Sequence, residues 1–234
     1  MKKSRTTAFI LSAILCTGCI TGCGKNKEGS SSADDTKGSS AAETTQSSGT
    51  GEIIYPAEDS EEYELGAYRI SENGIKLYFN ESEYPAELMN TLEGYFKCYE
   101  TGDFEAYKEY IFPSYIETME KHLQENYQYG LDTSFQTQCD NLNENMGGSF
   151  EITRIKIEPP LETESEEVGA DAFLDNLNEF FGFDYKSSVK ADSDNLRYMT
   201  FNVMAKDTEG NESLIVSGFY ILFAEKDGRY YTFG

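Results

Sequence analysis

The C-terminal end of the chain restricts the fold more than any other feature, because it contains little besides strand-like segments. We predict strands at 184–192, 196–207, 212–226 and 229–234, all of which contain β-branched and aromatic residues. The last three segments are connected only by "TEGN" and "KDG", and long strands joined by short loops pair antiparallel. We therefore expect the chain to end in an antiparallel meander.

The middle of the chain has helical periodicity instead. After Pro85, apolar residues recur every three or four positions as far as Tyr99, and "TGD" at 101–103 combines a helix-ending glycine with a capping aspartate. The same periodicity predicts helices at 104–111, 115–127, 134–146 and 173–181. A hairpin signal, Asn-Gly at 73–74, and a β-branched strand at 149–158 accompany them. Helices followed by a meander predict an α+β fold.

The N-terminus has the order of an export signal. Basic residues within the first five positions are followed by an uncharged apolar run of 13 residues at 8–20. A bilayer-spanning helix needs about 17 to 25 apolar residues, so this run is too short to remain as a membrane helix. The next residues, Ile20-Thr21-Gly22-Cys23, resemble the lipobox of bacterial lipoproteins, whose invariant cysteine receives diacylglycerol before cleavage on its amino side. The resemblance implies a signal peptide at 1–22 and lipidation of Cys23.

Two more cysteines precede Cys23, and they suggest a different chemistry. Cys16 and Cys19 have the Cys-x-x-Cys spacing of metal and thiol sites. Such a site needs a folded scaffold and usually a second cysteine pair, whereas these two lie within or beside the apolar part of the signal. We interpret them as residues that are removed with the signal peptide.

A long polar segment separates the signal from the folded part. Residues 24–59 are dominated by Ser, Gly, Thr, Ala and charged residues, so they offer too little apolar surface to offset the entropy of ordering. We expect a flexible tether that holds a domain clear of the membrane surface. The chain therefore divides into a signal peptide at 1–22, a disordered tether at 23–62 and one domain at 63–234.

The domain resembles a known family near its start. Residues 92–115, "LEGYFKCYETGDFEAYKEYIFPSY", are similar to the opening of NTF2-like domains, which have a helix, a Gly-Asp break, a short second helix and a proline. The resemblance implies N-terminal helices packed on a curved antiparallel sheet that wraps them as a cone. The hairpin before the first helix and the helix at 134–146 depart from the family plan, and either could fill or cover the mouth of the cone. The family contains isomerases, dehydratases, and transport and assembly factors, so the fold alone selects no activity.

Catalysis in such a cone needs an acid or base with a perturbed pKa. The only histidine of the chain, His122, is one candidate, with Asp103, Tyr99 or Tyr107 as its partner. The alternative is that His122 lies exposed on a helix and that Asp103 is only an N-cap. We find no phosphate loop, nucleophile elbow or zinc helix in the sequence, and we assign no catalytic residue, no metal and no cofactor.

Cys98 and Cys139 are the cysteines that remain after Cys23. Both fall on the apolar faces of predicted helices, where a free cysteine behaves as a small hydrophobe. We interpret them as buried thiols, although an exported domain also permits a disulfide between them.

The charge of the chain limits its partners. The formal net charge is −23, from 19 Lys and Arg against 42 Asp and Glu. Nucleic-acid affinity depends on basic residues that neutralise phosphates, and anionic lipid surfaces attract basic segments. We therefore expect no nucleic-acid partner, and membrane attachment only through the lipid on Cys23.

These observations lead to one functional hypothesis and two alternatives. We expect a lipid-anchored extracytoplasmic domain, on the outer face of a Gram-positive cytoplasmic membrane, that binds a small ligand or an envelope protein without catalysis. The alternatives are an enzyme with its site in the cone, acting on a small molecule, and a structural component of the cell envelope. The sequence does not distinguish them.

Overall fold

A computed structural model describes residues 50–60, 62–158 and 165–234. The predicted signal peptide, Cys23 and the tether as far as residue 49 lie outside the described residues. The helices are α1 (Ala86–Thr101), α2 (Phe104–Tyr110), α3 (Pro113–Tyr127), α4 (Leu131–Met146), α5 (Glu166–Phe181) and α6 (Tyr185–Asp192). The strands are β1 (Thr50–Ile54), β2 (Tyr68–Ser71), β3 (Lys76–Tyr78), β4 (Glu151–Glu158), β5 (Asn195–Lys206), β6 (Glu212–Lys226) and β7 (Arg229–Thr232).

The seven strands form a single sheet whose spatial order follows the chain order, β1 to β7. Every neighbouring pair is antiparallel except β3 and β4, which run parallel. A parallel pair needs a long crossover connection, and helices α1 to α4 provide it. The α+β class is confirmed, but the expectation of a purely antiparallel sheet is wrong, because these helices return the chain to the sheet in the same direction.

The sequence periodicity located most of the elements. The Asn-Gly hairpin forms between β2 and β3, where Gly74 adopts a φ of 79° that favours glycine. The meander of β5, β6 and β7 is antiparallel as predicted. Helices α1 to α5 all appear, although α4 and α5 begin before the residues at which the spacing became clear.

One prediction about local structure is wrong. The segment 184–192, predicted as a strand, is mainly helix α6, because Asp184 accepts the backbone N–H of Ser187 and caps the helix. Tyr185 and Val189, one turn apart, are both buried. Within the segment 23–62, predicted as a tether, Thr50–Ile54 forms β1 on the edge of the sheet, and the Arg69 guanidinium donates to the carbonyl of Gly51.

The main core lies between the sheet and α1. The Phe96 ring of α1 contacts the Phe201 ring of β5 with centroids 5.3 Å apart, and Leu88, Met89 and Leu92 of α1 are fully buried. Helix α5 packs against the part of β5 that extends beyond the end of β4, where Gly169 approaches the Tyr198 ring. Among the described helices, none has the length and hydropathy needed to cross a bilayer.

Candidate functional site

Aromatic side chains fill the interior between α1, α2 and α4. Tyr95 and Tyr99 of α1, Tyr107 of α2 and Phe135 of α4 are all at most 4 % exposed. The Tyr107 and Phe135 rings lie 4.6 Å apart, and the Tyr99 and Phe135 rings 5.0 Å apart. These residues fill the space against which α1, α2 and α4 pack, and the two pockets described below both lie elsewhere on the domain.

The tyrosine hydroxyls of this interior are hydrogen-bonded to one another. The hydroxyls of Tyr95 and Tyr99 lie 3.0 Å apart and share a hydrogen bond. Burial raises the pKa of Tyr95 to about 12 and holds the pKa of Tyr99 and of Tyr107 well above the usual value for tyrosine. Burial favours the uncharged, hydrogen-bonded hydroxyl over the phenolate. Tyr99 and Tyr107 therefore act as packing residues and not as bases at neutral pH.

The predicted acid–base group is not assembled. Asp103 is exposed and accepts the backbone N–H of Ala106 at 3.0 Å, so it is the N-cap of α2. His122 lies on α3, half-buried, with its ring 4.3 Å from the Phe180 ring of α5. Desolvation lowers the pKa of His122, which favours the neutral imidazole. Of the four candidates, the structure brings only Tyr99 and Tyr107 into contact, with ring centroids 5.7 Å apart.

Cys98 and Cys139 are both buried, as the helical spacing predicted, and both are free thiols. The Cys98 thiol donates to the carbonyl of Gly94 at 3.1 Å. Burial raises the pKa of Cys98 to about 12 and that of Cys139 to about 11. Neither cysteine belongs to a metal-binding group, since no cluster of three or more His, Cys, Asp or Glu suited to a metal exists within the described residues.

A surface groove offers a better site than the interior. It lies beside the connection between α3 and α4, and we call it the α3–α4 groove; its volume is about 730 Å³. Its lining comes from α2, α3, the connection and the start of α4: Phe104, Lys108, Ile116, Glu120, Gln124, Gln128, Tyr129, Gly130, Leu131, Asp132 and Thr133.

The local sequence explains why the chain opens here. Helix α3 ends at Tyr127, and its C-cap residue Gln128 adopts the left-handed conformation with φ of 65°. The N-cap residue of α4 is Gly130, which offers no side-chain cap, and the Glu120 carboxylate of α3 accepts the backbone N–H of Leu131 at 2.6 Å instead. Glu120, a residue of α3, thus satisfies a backbone N–H at the start of α4 in place of an N-cap side chain. An added Cβ at Gly130 would lie 2.8 Å from Asp132 Oδ1 and 2.9 Å from Glu120 Oε1, so a larger residue here would have to displace these carboxylates.

The groups of the groove suit a polar ligand. The Lys108 ammonium lies 5.1 Å from the Phe104 ring and pairs with Glu105. Gln124 donates to Glu120 at 2.5 Å and is otherwise exposed. Tyr129 is 39 % exposed and presents its ring at the groove. Amides, two hydroxyls, two carboxylates and two aromatic rings therefore line one concave surface, where polar groups can fix the orientation of a ligand.

A second pocket, of about 460 Å³, lies between the start of α5 and the connection from α6 to β5. Its lining includes Glu166, Glu167, Asp171 and Asp194 with a single cation, Lys190, which pairs with Asp171. Glu166 is already bonded to Arg197 of β5 at 2.8 Å. The charged groups here serve mainly the packing of α5 and α6, so the α3–α4 groove is the stronger candidate.

Comparisons with protein-family models, with curated proteins and with solved structures found no match to this chain. The site therefore rests on its own geometry. Sequence reasoning missed the groove because its lining comes from three helices. The only local signal was the break "QYG" at 128–130, between two predicted helices.

Proposed function

We propose that this chain is a lipid-anchored extracytoplasmic protein whose NTF2-like domain binds a small polar ligand, or an exposed polar group of an envelope partner, in the α3–α4 groove. The anchor is Cys23, and the lipid holds the domain on the outer face of a Gram-positive cytoplasmic membrane. The order of a basic start, an apolar run and Ile-Thr-Gly-Cys supports this address.

One observation carries the binding role. The interior that would hold a catalytic pocket is filled with buried rings, whereas the α3–α4 groove is open. Its volume of about 730 Å³ lies within the range of small-molecule sites, roughly 300 to 1,000 Å³. The groove also retains exposed donors and acceptors on Gln124, Asp132 and Thr133. Binding through these groups requires neither a nucleophile nor a general base.

The anchor is tested by lipid labelling in a bacterial host. A labelled lipid precursor should mark the wild-type chain, and Cys23→Ala should abolish the mark and release the protein from the membrane fraction. Cys19→Ala and Cys16→Ala are matched controls, because they alter neighbouring cysteines and leave Ile20-Thr21-Gly22-Cys23 intact. Labelling that persists in Cys23→Ala would assign the anchor elsewhere.

The groove is tested by thermal unfolding with a panel of sugars, nucleosides, amino acids and short peptides. A ligand at a hundred times its Kd stabilises a protein by about 2.7 kcal/mol, which corresponds to a rise in Tm of about 5 to 10 °C for a domain of this size. Thr133→Trp should fill the groove and remove the rise. Thr137→Trp, also exposed on α4 but outside the groove, should not. A panel without any stabilising member would favour a purely structural envelope role.

A further inference from the structure

Six rings form a continuous surface where the C-terminal ends of α3 and α5 meet. We call this surface the aromatic strip; in spatial order it consists of Tyr129, Tyr127, His122, Phe180, Phe181 and Phe183. Successive ring centroids are 5.9, 6.1, 4.3, 5.3 and 5.9 Å apart. Every ring therefore contacts the next, and the contacts cross from one helix to the other.

The strip is accessible at both ends and supported beneath its middle. Phe183 is 52 % exposed and Tyr129 is 39 % exposed, while the four rings between them are half-buried. Phe181 also contacts the buried rings of Tyr115 and Tyr185, at 6.0 and 5.3 Å. A contiguous apolar patch on a soluble domain marks an interaction surface more often than scattered exposed residues do. Its rings are also held in place by packing, so binding would not have to order them.

The strip and the α3–α4 groove share a residue. Tyr129 is the first ring of the strip and also lines the groove, together with Gln124, Gln128 and Thr133. A ligand that follows the strip therefore reaches amide and hydroxyl groups at its end. The combined surface offers stacking faces along most of its length and hydrogen-bonding groups at one end.

The charges around the strip restrict the occupant. Glu125, Glu179 and Asp184 flank the rings in the sequence, and the nearby cation Lys121 is 3.9 Å from the Glu125 carboxylate. With a chain of net charge −23, a polyanion or an anionic lipid surface would be repelled. An anionic ligand is therefore disfavoured. Among the remaining ligands, one with apolar faces for the rings and many hydroxyls for the amide and hydroxyl groups of the groove would use both surfaces.

Sugars have this chemistry. A pyranose ring presents C–H groups on its faces and hydroxyls at its edge, and aromatic faces carry partial negative charge that attracts the C–H groups. We propose that the aromatic strip and the α3–α4 groove together bind a strand of uncharged polysaccharide. This proposal rests on the proposed binding role of the groove and assigns its ligand class.

The test compares two double variants of exposed tyrosine and phenylalanine residues in the full chain, purified in detergent. Tyr129→Ala with Phe183→Ala removes the two most exposed rings of the strip. Tyr55→Ala with Tyr63→Ala is the matched control, because these rings are 77 % and 51 % exposed and belong to other parts of the surface. Unchanged Tm values verify that both variants fold.

The probes are insoluble chitin, soluble chitohexaose measured by calorimetry, the polyanion hyaluronate, and phosphatidylcholine vesicles. We expect wild type and the Tyr55/Tyr63 control to bind chitin and chitohexaose and not hyaluronate. The Tyr129/Phe183 variant should bind at least about tenfold more weakly, since two stacking contacts are lost. Tyr129→Phe should retain binding, because it keeps the ring.

Three results would overturn the proposal. The first is no binding of wild type to either neutral sugar polymer. The second is equal binding by the wild type and the Tyr129/Phe183 variant. The third is that the Tyr129/Phe183 variant differs from the wild type in vesicle binding but not in sugar binding. Because both proteins carry the same lipid anchor, that result would mean that the strip contacts lipid. If Thr133→Trp abolishes binding of a non-sugar ligand while the Tyr129/Phe183 variant has no effect, the groove keeps its proposed role and only the polysaccharide inference fails.

Discussion

At the scale of single residues, Glu93 shows how one buried carboxyl group fixes the hairpin against α1. Its carboxylate is 4 % exposed and accepts hydrogen bonds from the Ser71 hydroxyl at 2.8 Å and from the Asn73 amide at 2.7 Å. Glu93→Ala leaves both donors without this acceptor, and should lower the free energy of unfolding by about 2 to 4 kcal/mol. Glu93→Gln keeps an acceptor and should cost less. Urea unfolding measures both, with exposed Glu87→Ala as the control in the same helix; equal losses for Glu93→Ala and Glu87→Ala would contradict this role.

The two remaining thiols give a second prediction at this scale. Burial raises the pKa of Cys98 to about 12 and that of Cys139 to about 11, so at pH 8 both are protonated as well as shielded from reagents. Iodoacetamide reacts with the thiolate. We expect both cysteines to stay unmodified in native buffer and to be alkylated in 8 M urea, as read by peptide mass spectrometry. Rapid alkylation of either thiol in the native protein would mean that α1 and α4 open locally.

At the scale of elements, α5 depends on a glycine where it crosses β5. A Cβ on Gly169 would lie 2.1 Å from Cδ1 of the Tyr198 ring, and Arg197 bonds Glu166 in the first turn of the helix. Alanine normally stabilises a helix interior relative to glycine, by up to about 1 kcal/mol, but here overpacking should dominate. Gly169→Ala should destabilise the domain by about 1 to 3 kcal/mol in urea unfolding. Tyr198→Ala makes room for the added methyl group, so the double variant should lose less free energy of unfolding than the sum of the two single variants. Strictly additive losses would show that α5 does not press on this ring.

The elements also show what sequence patterns can and cannot predict. Periodicity located α1 to α5 and the meander, because each of these elements has one buried face of its own. It failed at α6, where Tyr185 and Val189 fit both a strand and a helix and the Asp184 cap decided the outcome. It also missed β1, a five-residue edge strand that pairs with β2. Periodicity could not predict the α3–α4 groove either, because the hydrogen bond from the Leu131 backbone N–H to Glu120 forms only when α3 and α4 have packed.

At the scale of the whole molecule, the dominant electrostatic term is repulsion between carboxylates. Residues 50–234 contain 13 lysines and arginines against 38 aspartates and glutamates. Among the described residues, twelve of those thirteen cations already form ion pairs with carboxylates. Most of the acidic surface therefore has no positive partner, and its mutual repulsion opposes the compact state.

This imbalance predicts that salt stabilises the domain. Raising NaCl from 10 to 150 mM shortens the Debye length from about 30 to about 8 Å, which weakens the long-range repulsion in the folded state. The same salt also weakens the ion pairs, but exposed pairs contribute only about 0 to 1 kcal/mol each and their short distances are screened less than the separated like charges. We expect the Tm at pH 7 to rise by several degrees, about 2 to 4 °C for each kcal/mol gained. Potassium chloride should raise the Tm by the same amount, since the effect depends on ionic strength. A Tm that falls with salt would mean that the ion pairs outweigh the repulsion.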